Sequence, residues 1–320
     1  MRAIVITKPG GPEVLAVVER PLPEPSRGEV RVRVRATAVN RADLLQRMGH
    51  YPAPADSPPD VPGLEIAGEV DQLGAGVERW KIGDRVFGLV GGGGYAEYVV
   101  THERALAEIP EGMSFEQAAA VPEAFITAHD AMVTQAGLRS GETVLITAVG
   151  SGVGTAAMQL AHAMHALVVG TARTPEKLGN LKGLGLRCSF VPIDGKYPAN
   201  YPAPNVILEL VGGSYLAEDL KVIQPQGRIV LVGLLAGRKQ ELDLGSVLSK
   251  RVRIFGTVLR ARPLEEKIAA TRAFETQVVP LFGRGLLKPI TDIVLPLAEA
   301  SRAHERMASN ETLGKIVLSL

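Results

Sequence analysis

The sequence contains one cysteine, almost no net charge and no long apolar run. The single Cys188 excludes a disulfide framework within the chain and a structural zinc site built on cysteines. We expect this thiol to behave as a small buried hydrophobic group. A net charge of +1 gives no indication of nucleic acid or of an anionic membrane surface as a partner.

Membrane and export signals are also missing. No apolar stretch approaches the roughly 18 residues that a membrane-spanning helix needs. The N-terminal segment "MRAIVITKPGG" reaches a Lys-Pro-Gly turn too early for the apolar core of a signal peptide. These absences favour a cytoplasmic protein with no membrane partner.

The first hundred residues have a sequence pattern typical of an all-β domain. Short apolar runs such as "RAIVIT" and "GDRVFGLV" are separated by proline and glycine, which suggests a small barrel or sandwich. In "EVRVRVRATAV", valines alternate with Arg31, Arg33 and Arg35, so we expect a half-buried strand with the arginines on its wet face. We interpret the four glycines of "VGGGGYAEYVV" as a flexible hairpin or loop.

The texture changes near residue 114, where Ser114 and Gln117 have the spacing of a capping box before an Ala-rich helix. From residue 141 apolar strands alternate with helices, including a helix in "TPEKLGNLKGLG". This pattern predicts an α/β domain with a doubly wound parallel sheet. We place that domain at 119–261, and the β-rich domain at 1–118 together with a returning tail, 262–320.

The segment "VLITAVGSGVGTAAMQLAHAM" carries the clearest chemical signal. A strand leads into a turn with Gly150, Gly152 and Gly154, and a helix follows, which is the arrangement that binds a pyrophosphate at a helix N-terminus. The register is irregular, because a strict G-x-G-x-x-G ending at Gly154 would need glycine at Val149 and Ser151. A structural tight turn is the alternative. The predicted phosphate contacts are Gly150, Ser151, Gly152, Val153 and Gly154.

The next strand indicates which dinucleotide is bound. NAD-binding proteins place an acidic residue there for the ribose 2′-hydroxyl, whereas "VVGTARTPEK" offers Arg173 and Lys177. Two cations suit a 2′-phosphate, so we expect NADP(H). The alternative is a solvated helix start in which Glu176 pairs with a neighbour.

Polar residues also gather in "AVNRADLLQRMGHYP", residues 38–52, after the first long strand. Asn40, Arg41, Asp43 and Tyr51 stand where a strand ends, a common location for site residues. A strand-to-helix cap made by Asn40 or Asp43 is the simpler explanation on this stretch alone. The residues alone leave both interpretations open.

Several motifs together resemble the medium-chain dehydrogenase/reductase superfamily. They are "NRADLLQRMGHYP", "GLEIAGEVDQLGAGVERWKIGDRVFGLVGGGGYAEYVV", "IPEGMSFEQAAAVPEAFITA", "SGVGTAAMQLA" and "LGKIVLSL". The chain is most similar to the zinc-free, zeta-crystallin-like quinone oxidoreductase branch, and within it to the p53-inducible type. The resemblance implies a GroES-like catalytic domain, a Rossmann-type NADP(H) domain and a homodimer formed through the sheet edge at "RVRIFGTV".

The resemblance also implies a site without metal. The zinc ligands of related alcohol dehydrogenases correspond here to Asn40, Leu64 and Glu123, and an amide and a leucine are not zinc ligands. In similar enzymes an Asn and a Tyr matching Asn40 and Tyr51 lie beside the nicotinamide. We expect both to be catalytic, as neutral hydrogen-bond donors to a quinone oxygen.

The remaining cofactor contacts are predicted from sheet topology and from the same resemblance. Strand ends of the parallel sheet and the returning tail supply them: Thr127, Val211, Gly212, Gly233, Leu234, Leu259, Arg260, Gly314 and Lys315. One departure is Pro192, which stands where NADPH-preferring relatives have a tyrosine near the 2′-phosphate. Arg173 is an added cation that replaces this contact or accompanies relaxed specificity.

The predicted activity is therefore NADPH-dependent, metal-free reduction of a small-molecule quinone. Two alternatives remain open. One is an enoyl or alkenal reductase of the same superfamily, with Tyr51 as proton donor. The other is a crystallin-like NADPH-binding protein without catalysis.

Overall fold

The computed structural model describes residues 1–320, which divide into two compact units. The first unit comprises residues 1–126 and 259–320, and the second comprises residues 127–258. The predicted boundaries, after residues 118 and 261, lie near these divisions and stay a prediction.

The first unit begins as a β-rich structure with two short α-helices. Its elements up to residue 126 are β1 (Arg2–Ile6), β2 (Leu15–Glu19), β3 (Glu29–Val39), α1 (Arg41–Arg47), β4 (Glu65–Leu73), β5 (Arg85–Leu89), β6 (Tyr98–His102), β7 (Leu106–Glu108), α2 (Phe115–Ala119) and a π-helical turn (Pro122–Ile126). Strand β3 is antiparallel to both β4 and β6. Val30, Val32 and Val34 are buried and the intervening arginines are more exposed, as the alternation predicted.

The second unit alternates strands and helices. Its elements are α3 (Thr127–His129), a π-helical stretch (Asp130–Gln135), β8 (Thr143–Ile146), α4 (Gly152–Ala163), β9 (Leu167–Thr171), α5 (Pro175–Gly179), β10 (Leu186–Phe190), β11 (Val206–Glu209), α6 (Tyr215–Val222), β12 (Arg228–Leu231), α7 (Leu244–Lys250) and β13 (Arg253–Gly256). The strands form a parallel six-stranded sheet in the order β10-β9-β8-β11-β12-β13. This order is that of a Rossmann fold, and the predicted doubly wound sheet is confirmed.

The tail returns to the first unit, as predicted. It contains α8 (Leu264–Gln277), α9 (Val279–Gly283), β14 (Thr291–Pro296), α10 (Ala300–Ala308) and β15 (Lys315–Ser319). Strand β15 pairs antiparallel with β3, so the seven-stranded sheet runs β14-β15-β3-β4-β5-β7, with β6 as the seventh strand paired to β3. This pairing brings Lys315 opposite the end of β3, where the segment 38–52 begins.

Two helices are shorter than the sequence suggested. The capping box of Ser114 and Gln117 is present, but α2 ends at Ala119, because Pro122 has no N–H to continue the ladder. In the segment 174–185 only Pro175–Gly179 is helical, and the glycines that follow at 183 and 185 have positive φ.

Two local expectations need correction. The glycine run 91–94 is a loop, but it is largely buried and hydrogen-bonded, with Gly93 N donating to Val61 O at 2.9 Å. A Cβ at Gly91 would overlap the Ser57 hydroxyl, so close packing explains that glycine better than flexibility does. Cys188 is only half-buried, at the margin of a cluster around Leu145 and Ile207. No helix is long and apolar enough to cross a membrane.

Candidate active site

The segment 38–52 is both a helix cap and part of a buried polar cluster. Asn40 is the N-cap of α1, and its backbone N–H donates to Asp43 Oδ2 at 2.7 Å. Asp43 Oδ1 accepts from Gly63 N at 3.1 Å, which ties the helix to the chain entering β4. Burial raises the pKa of Asp43 to about 6, although these two N–H groups and nearby Lys315 and Arg260 favour its charged form.

Tyr95, His304 and Arg47 form a chain of contacts that begins at Asp43. The Tyr95 hydroxyl lies 3.4 Å from Asp43 Oδ2 and 3.2 Å from His304 Nε2, and Arg47 Nη1 lies 3.3 Å from His304 Nδ1. Burial, with Arg47 adding repulsion, lowers the pKa of His304 to about 3, so the imidazole is neutral. These contacts fix α1 against α10.

Asn40 is held by a buried ion pair. Its Nδ2 donates to Glu65 Oε1 at 2.8 Å and to Ala38 O at 3.3 Å, and its Oδ1 accepts from Lys315 Nζ. Lys315 also pairs with Glu65 at 2.7 Å and donates to Val39 O. Both amide hydrogens of Asn40 are therefore in use, and in this arrangement neither is left to donate to a substrate.

Lys315 and Gly314, which we predicted to contact the cofactor, are both buried where β15 begins. The Lys315 side chain is 5 % exposed and its ammonium group has three acceptors around it. Gly314 has φ +77°, and a Cβ there would overlap Ile290 O. Their closeness to Asn40 comes from the pairing of β15 with β3. Their cofactor contact stays a prediction.

Glu123 places a second carboxyl next to this pair. Its backbone N–H donates to Glu65 Oε2 at 2.8 Å, while no protein group hydrogen-bonds to its carboxyl. Burial first, and then repulsion from Glu65, raises the pKa of Glu123 to about 7, against the attraction of Lys315. Near neutral pH this carboxyl is therefore a mixture of acid and carboxylate.

These residues do not suit zinc. The amide oxygen of Asn40 is bonded to an ammonium group, Leu64 is a buried aliphatic side chain, and Glu123 is the one remaining oxygen ligand of the three matched positions. Zinc sites require thiolate, imidazole or carboxylate ligands.

Tyr51 and Arg260 form the second part of the site in the first unit. The Arg260 guanidinium lies over the Tyr51 ring, 5.1 Å from its centroid. No protein group hydrogen-bonds to the half-buried Tyr51 hydroxyl, and burial raises its pKa, so it stays a proton-bearing donor at neutral pH. Leu259 is buried beside Arg260. Tyr51 thus keeps the donor that Asn40 lacks.

The glycine turn of the second unit fits a dinucleotide phosphate. Ser151 caps α4, and its hydroxyl accepts from Gly154 N at 3.1 Å. The N–H groups of Gly152 and Val153, at the first turn of α4, have no acceptor within the helix. A Cβ at Gly154 would lie 2.5 Å from Ala148 O, so only glycine lets the helix start this close to the preceding turn. Gly150 lies in this turn before Ser151.

A buried acidic pair shapes the next two turns of that sheet edge. Glu209 Oε1 accepts from Val211 N at 2.5 Å, Gly212 N at 2.6 Å and the Thr147 hydroxyl at 3.1 Å. Burial raises the pKa of Glu209, and burial together with nearby Glu209 raises the pKa of Asp219 well above its usual range. Tyr197 donates to Asp219 at 2.9 Å.

The structure brings most predicted contacts of the second unit to this edge. A Cβ at Gly212 would lie 2.9 Å from Leu234 Cδ2 and 3.0 Å from Gly233 O, so these turns pack closely. Arg173 follows β9 and is exposed, with Lys177 one turn into α5. Pro192 follows β10, and Thr127 is buried at the start of α3. Their roles stay predictions.

Glu65, Glu209 and Asp219 were not predicted from the sequence. The position of Arg260 over the Tyr51 ring was not predicted either. A signal existed for the first two, since each is a lone acid in an apolar run, "GLEIAG" and "VILELVGG". Lone acids in buried strands are rarely left without partners. Their partners lie far away in sequence, so the pairs themselves were not visible.

Comparison with known proteins agrees with the fold. Residues 26–111 match the model of the alcohol dehydrogenase GroES-like domain, and residues 152–275 match that of the zinc-binding dehydrogenase family. A quinone oxidoreductase from Pseudomonas aeruginosa is 35 % identical, with 97 % of this chain and 96 % of the relative covered. Erythronolide synthase EryA2 from Saccharopolyspora erythraea is 35 % identical over 97 % of this chain but only 9 % of its own length.

A solved structure extends the likeness. Escherichia coli quinone oxidoreductase, complexed with NADPH, has a TM-score of 0.85 and 26 % identity, with 100 % of both chains covered. Together with the full-length relative, this shows that the chain belongs to the quinone oxidoreductase family of the medium-chain dehydrogenase/reductase superfamily.

Proposed function

We propose that this protein is an NADPH-dependent, zinc-independent quinone oxidoreductase. The observation that carries the proposal is the group formed by Asn40, Glu65 and Lys315. It fills, with an internal ion pair, the position where related dehydrogenases hold a catalytic metal. An acceptor reduced here must react without a Lewis acid, and a quinone meets that condition because it is already a good electron acceptor.

The second unit supports the cofactor part of the proposal. The N-terminus of α4 offers N–H groups to a pyrophosphate, and Arg173 and Lys177 follow β9 where a 2′-phosphate is recognised. The solved E. coli relative was complexed with NADPH. Bound NADPH would supply the reducing equivalents. Arg173→Glu should then lower the kcat/KM ratio of NADPH to NADH by at least about tenfold, equivalent to one charge-assisted hydrogen bond.

Tyr51 is the residue that we propose contacts the quinone. Its hydroxyl has no protein partner and keeps its proton at neutral pH. It can therefore donate a hydrogen bond to the oxygen on which negative charge develops. Asn40 supports the site by holding Lys315 and Glu65 in place.

The test is oxidation of NADPH followed at 340 nm with 1,2- and 1,4-quinones after treatment with a chelator. We expect turnover that survives chelation and falls about 10- to 100-fold in Tyr51→Phe, the range for one hydrogen bond to developing charge. The matched control is Tyr98→Phe, an aromatic change on β6. Turnover that needs added zinc, or no turnover with any quinone despite NADPH binding, would overturn the proposal.

A second candidate is an NADPH-dependent enoyl or alkenal reductase. The Tyr51 hydroxyl, which has no protein partner and keeps its proton at neutral pH, favours it. Tyr51 would then protonate the product. A panel that compares 2-alkenals with quinones at equal concentration separates the two by their kcat/KM values. NADPH binding without turnover on either class would leave a non-catalytic binding protein.

We also propose a cytoplasmic homodimer formed through the edge of the second unit's sheet. Strand β13 has one neighbour, β12, so its other edge is unpaired. Helix α7, which precedes β13, has no buried residue, and its Leu244 and Leu248 are 69 % and 77 % exposed. An unpaired edge beside exposed leucines is the type of surface that a second copy covers.

A further inference from the structure

Arg260 is a buried arginine held in place by three of its neighbours. Its Nε donates to Gly91 O at 2.7 Å, and its Nη2 donates to Gln46 Oε1 at 2.6 Å. The Tyr51 ring covers the face of the guanidinium. The side chain is therefore fixed in one orientation, with its plane defined by the glycine run and by α1.

One corner of this guanidinium has no partner. Arg260 Nη1 is buried and donates no hydrogen bond. The residue as a whole is 8 % exposed. A buried N–H of a charged group without an acceptor is destabilising, so such a donor is uncommon unless something else uses it.

Arg260 also lines a pocket. It is a narrow cleft, partly open to solvent, in which only about 20 Å³ admits the centre of a water-sized sphere, and most of its wall is aliphatic, from Leu64, Leu89, Val90 and Leu259. Glu123 and Lys267 are the other charged residues on the wall, and Lys267 has Asp56 at 3.8 Å. Fixed polar groups on an apolar wall are typical of sites for small organic molecules, and a cleft this narrow would take the edge of a flat one.

We infer that Arg260 Nη1 binds the carbonyl oxygen of the acceptor, so that its ligand is a flat, conjugated carbonyl compound seated against the aliphatic wall. This inference rests on the proposed function and moves Arg260 from the predicted cofactor contacts to the acceptor contacts. The donor set suits a neutral carbonyl, because the neighbouring acids Asp43 and Glu123 already offset the charge of Arg260.

The role follows from where charge develops. Bound NADPH would supply a hydride: its C–H bond would break, the hydrogen would bond to one end of the conjugated acceptor, and the π pair of the carbonyl at the other end would move to its oxygen. The resulting oxyanion takes one proton from water or from an acidic neighbour to give the hydroxyl. A fixed guanidinium N–H strengthens its hydrogen bond as the oxygen becomes negative, which stabilises the transition state more than the ground state.

The test uses a complex that cannot turn over. Protein saturated with NADP+ is mixed with tetramethyl-1,4-benzoquinone, whose substituted ring does not add the Cys188 thiol, and the carbonyl stretch of the bound quinone is measured by infrared difference spectroscopy. We expect a shift to lower frequency in the wild type. The shift should be clearly smaller in Arg260→Lys and Arg260→Met, because Nη1 is then missing and the Tyr51 hydroxyl remains. Quinone turnover by the same variants with NADPH should fall at least about tenfold, as for loss of one donor to an oxyanion.

Gln46→Met is the matched control, because it removes the contact to Nη2 and leaves Nη1 unchanged. If Arg260 served only to pack the loop, Gln46→Met and Arg260→Lys would change stability alike and neither would change the carbonyl frequency. An unshifted band in the wild type, or the same shift in folded Arg260→Lys, overturns the inference while wild-type quinone turnover keeps the proposed function. Absence of any wild-type turnover identifies failure of the proposed function instead.

Discussion

Replacement of Lys315 by methionine should destabilise the protein far more than an ordinary lysine substitution. Lys315 and Glu65 are 5 % and 0 % exposed at their side chains, and their nearest charged atoms are 2.7 Å apart. Methionine fills a similar volume but leaves the Glu65 carboxylate, Asn40 Oδ1 and Val39 O without the ammonium group. Breaking a buried ion pair from one side costs about 3–5 kcal/mol, so we expect a loss of about 4 kcal/mol.

Urea denaturation at pH 7.5, followed by circular dichroism, measures this loss. The control is Lys267→Met, since Lys267 Nζ lies 3.8 Å from an Asp56 side chain that is 66 % exposed, and such a pair contributes about 0–1 kcal/mol. The double variant Glu65→Gln/Lys315→Met should recover at least about 2 kcal/mol, because no charge is then left buried alone. If Lys315→Met costs no more than Lys267→Met, the ion pair does not hold Asn40 in place.

Three further predictions concern the cofactor turn, pH and assembly. Gly154→Ala should weaken NADPH binding at least about tenfold in a fluorescence titration, because its Cβ would overlap Ala148 O, whereas Gly179→Ala, with open space around it, should not; equal affinities would contradict this. Glu123 has a folded-state pKa of about 7, above its ordinary 4.5, so the wild type loses stability as pH rises between these values. Glu123→Gln should lack that loss and be up to about 3 kcal/mol more stable at pH 8.5 but not at pH 4, as denaturation at both pH values would show. Leu248→Glu should convert the dimer to a monomer in sedimentation velocity, whereas Leu286→Glu, an equally polar change at an exposed leucine of the first unit, should not.

Elements with a local signal could be predicted from the sequence. The alternation of valine and arginine in β3 predicts which face is buried, because side chains in a strand alternate between its two faces. The pattern around Gly154 predicts a strand, a tight turn and a helix, and the structure has all three, while phosphate binding there stays a prediction. The returning tail was predicted from its pattern and confirmed by the pairing of β15 with β3.

The site chemistry depended on contacts that sequence patterns do not encode. Asn40 is 25 residues from Glu65 and 275 residues from Lys315 along the chain. Only the pairing of β3 with β4 and β15 brings them together, and that register fixes which polar atoms meet. The expectation that Asn40 donates to a substrate treated its amide as available, and these distant partners occupy it.

Three buried carboxyls hold backbone N–H groups of the segments that carry the candidate site. Asp43 accepts from Asn40 and Gly63, Glu65 accepts from Glu123, and Glu209 accepts from Val211 and Gly212. These acids hold the backbone of those segments in place, because their oxygens accept hydrogen bonds from backbone N–H groups. In the first unit the Tyr51 hydroxyl and Arg260 Nη1 are donors without a protein acceptor. An acceptor compound that uses both must present carbonyl oxygen, a feature that quinones and 2-alkenals share. Selection between them therefore depends on contact with the aliphatic wall formed by Leu64, Leu89, Val90 and Leu259. A flat ring has less conformational freedom to lose on binding than a flexible chain, so we expect this wall to bind a quinone more tightly.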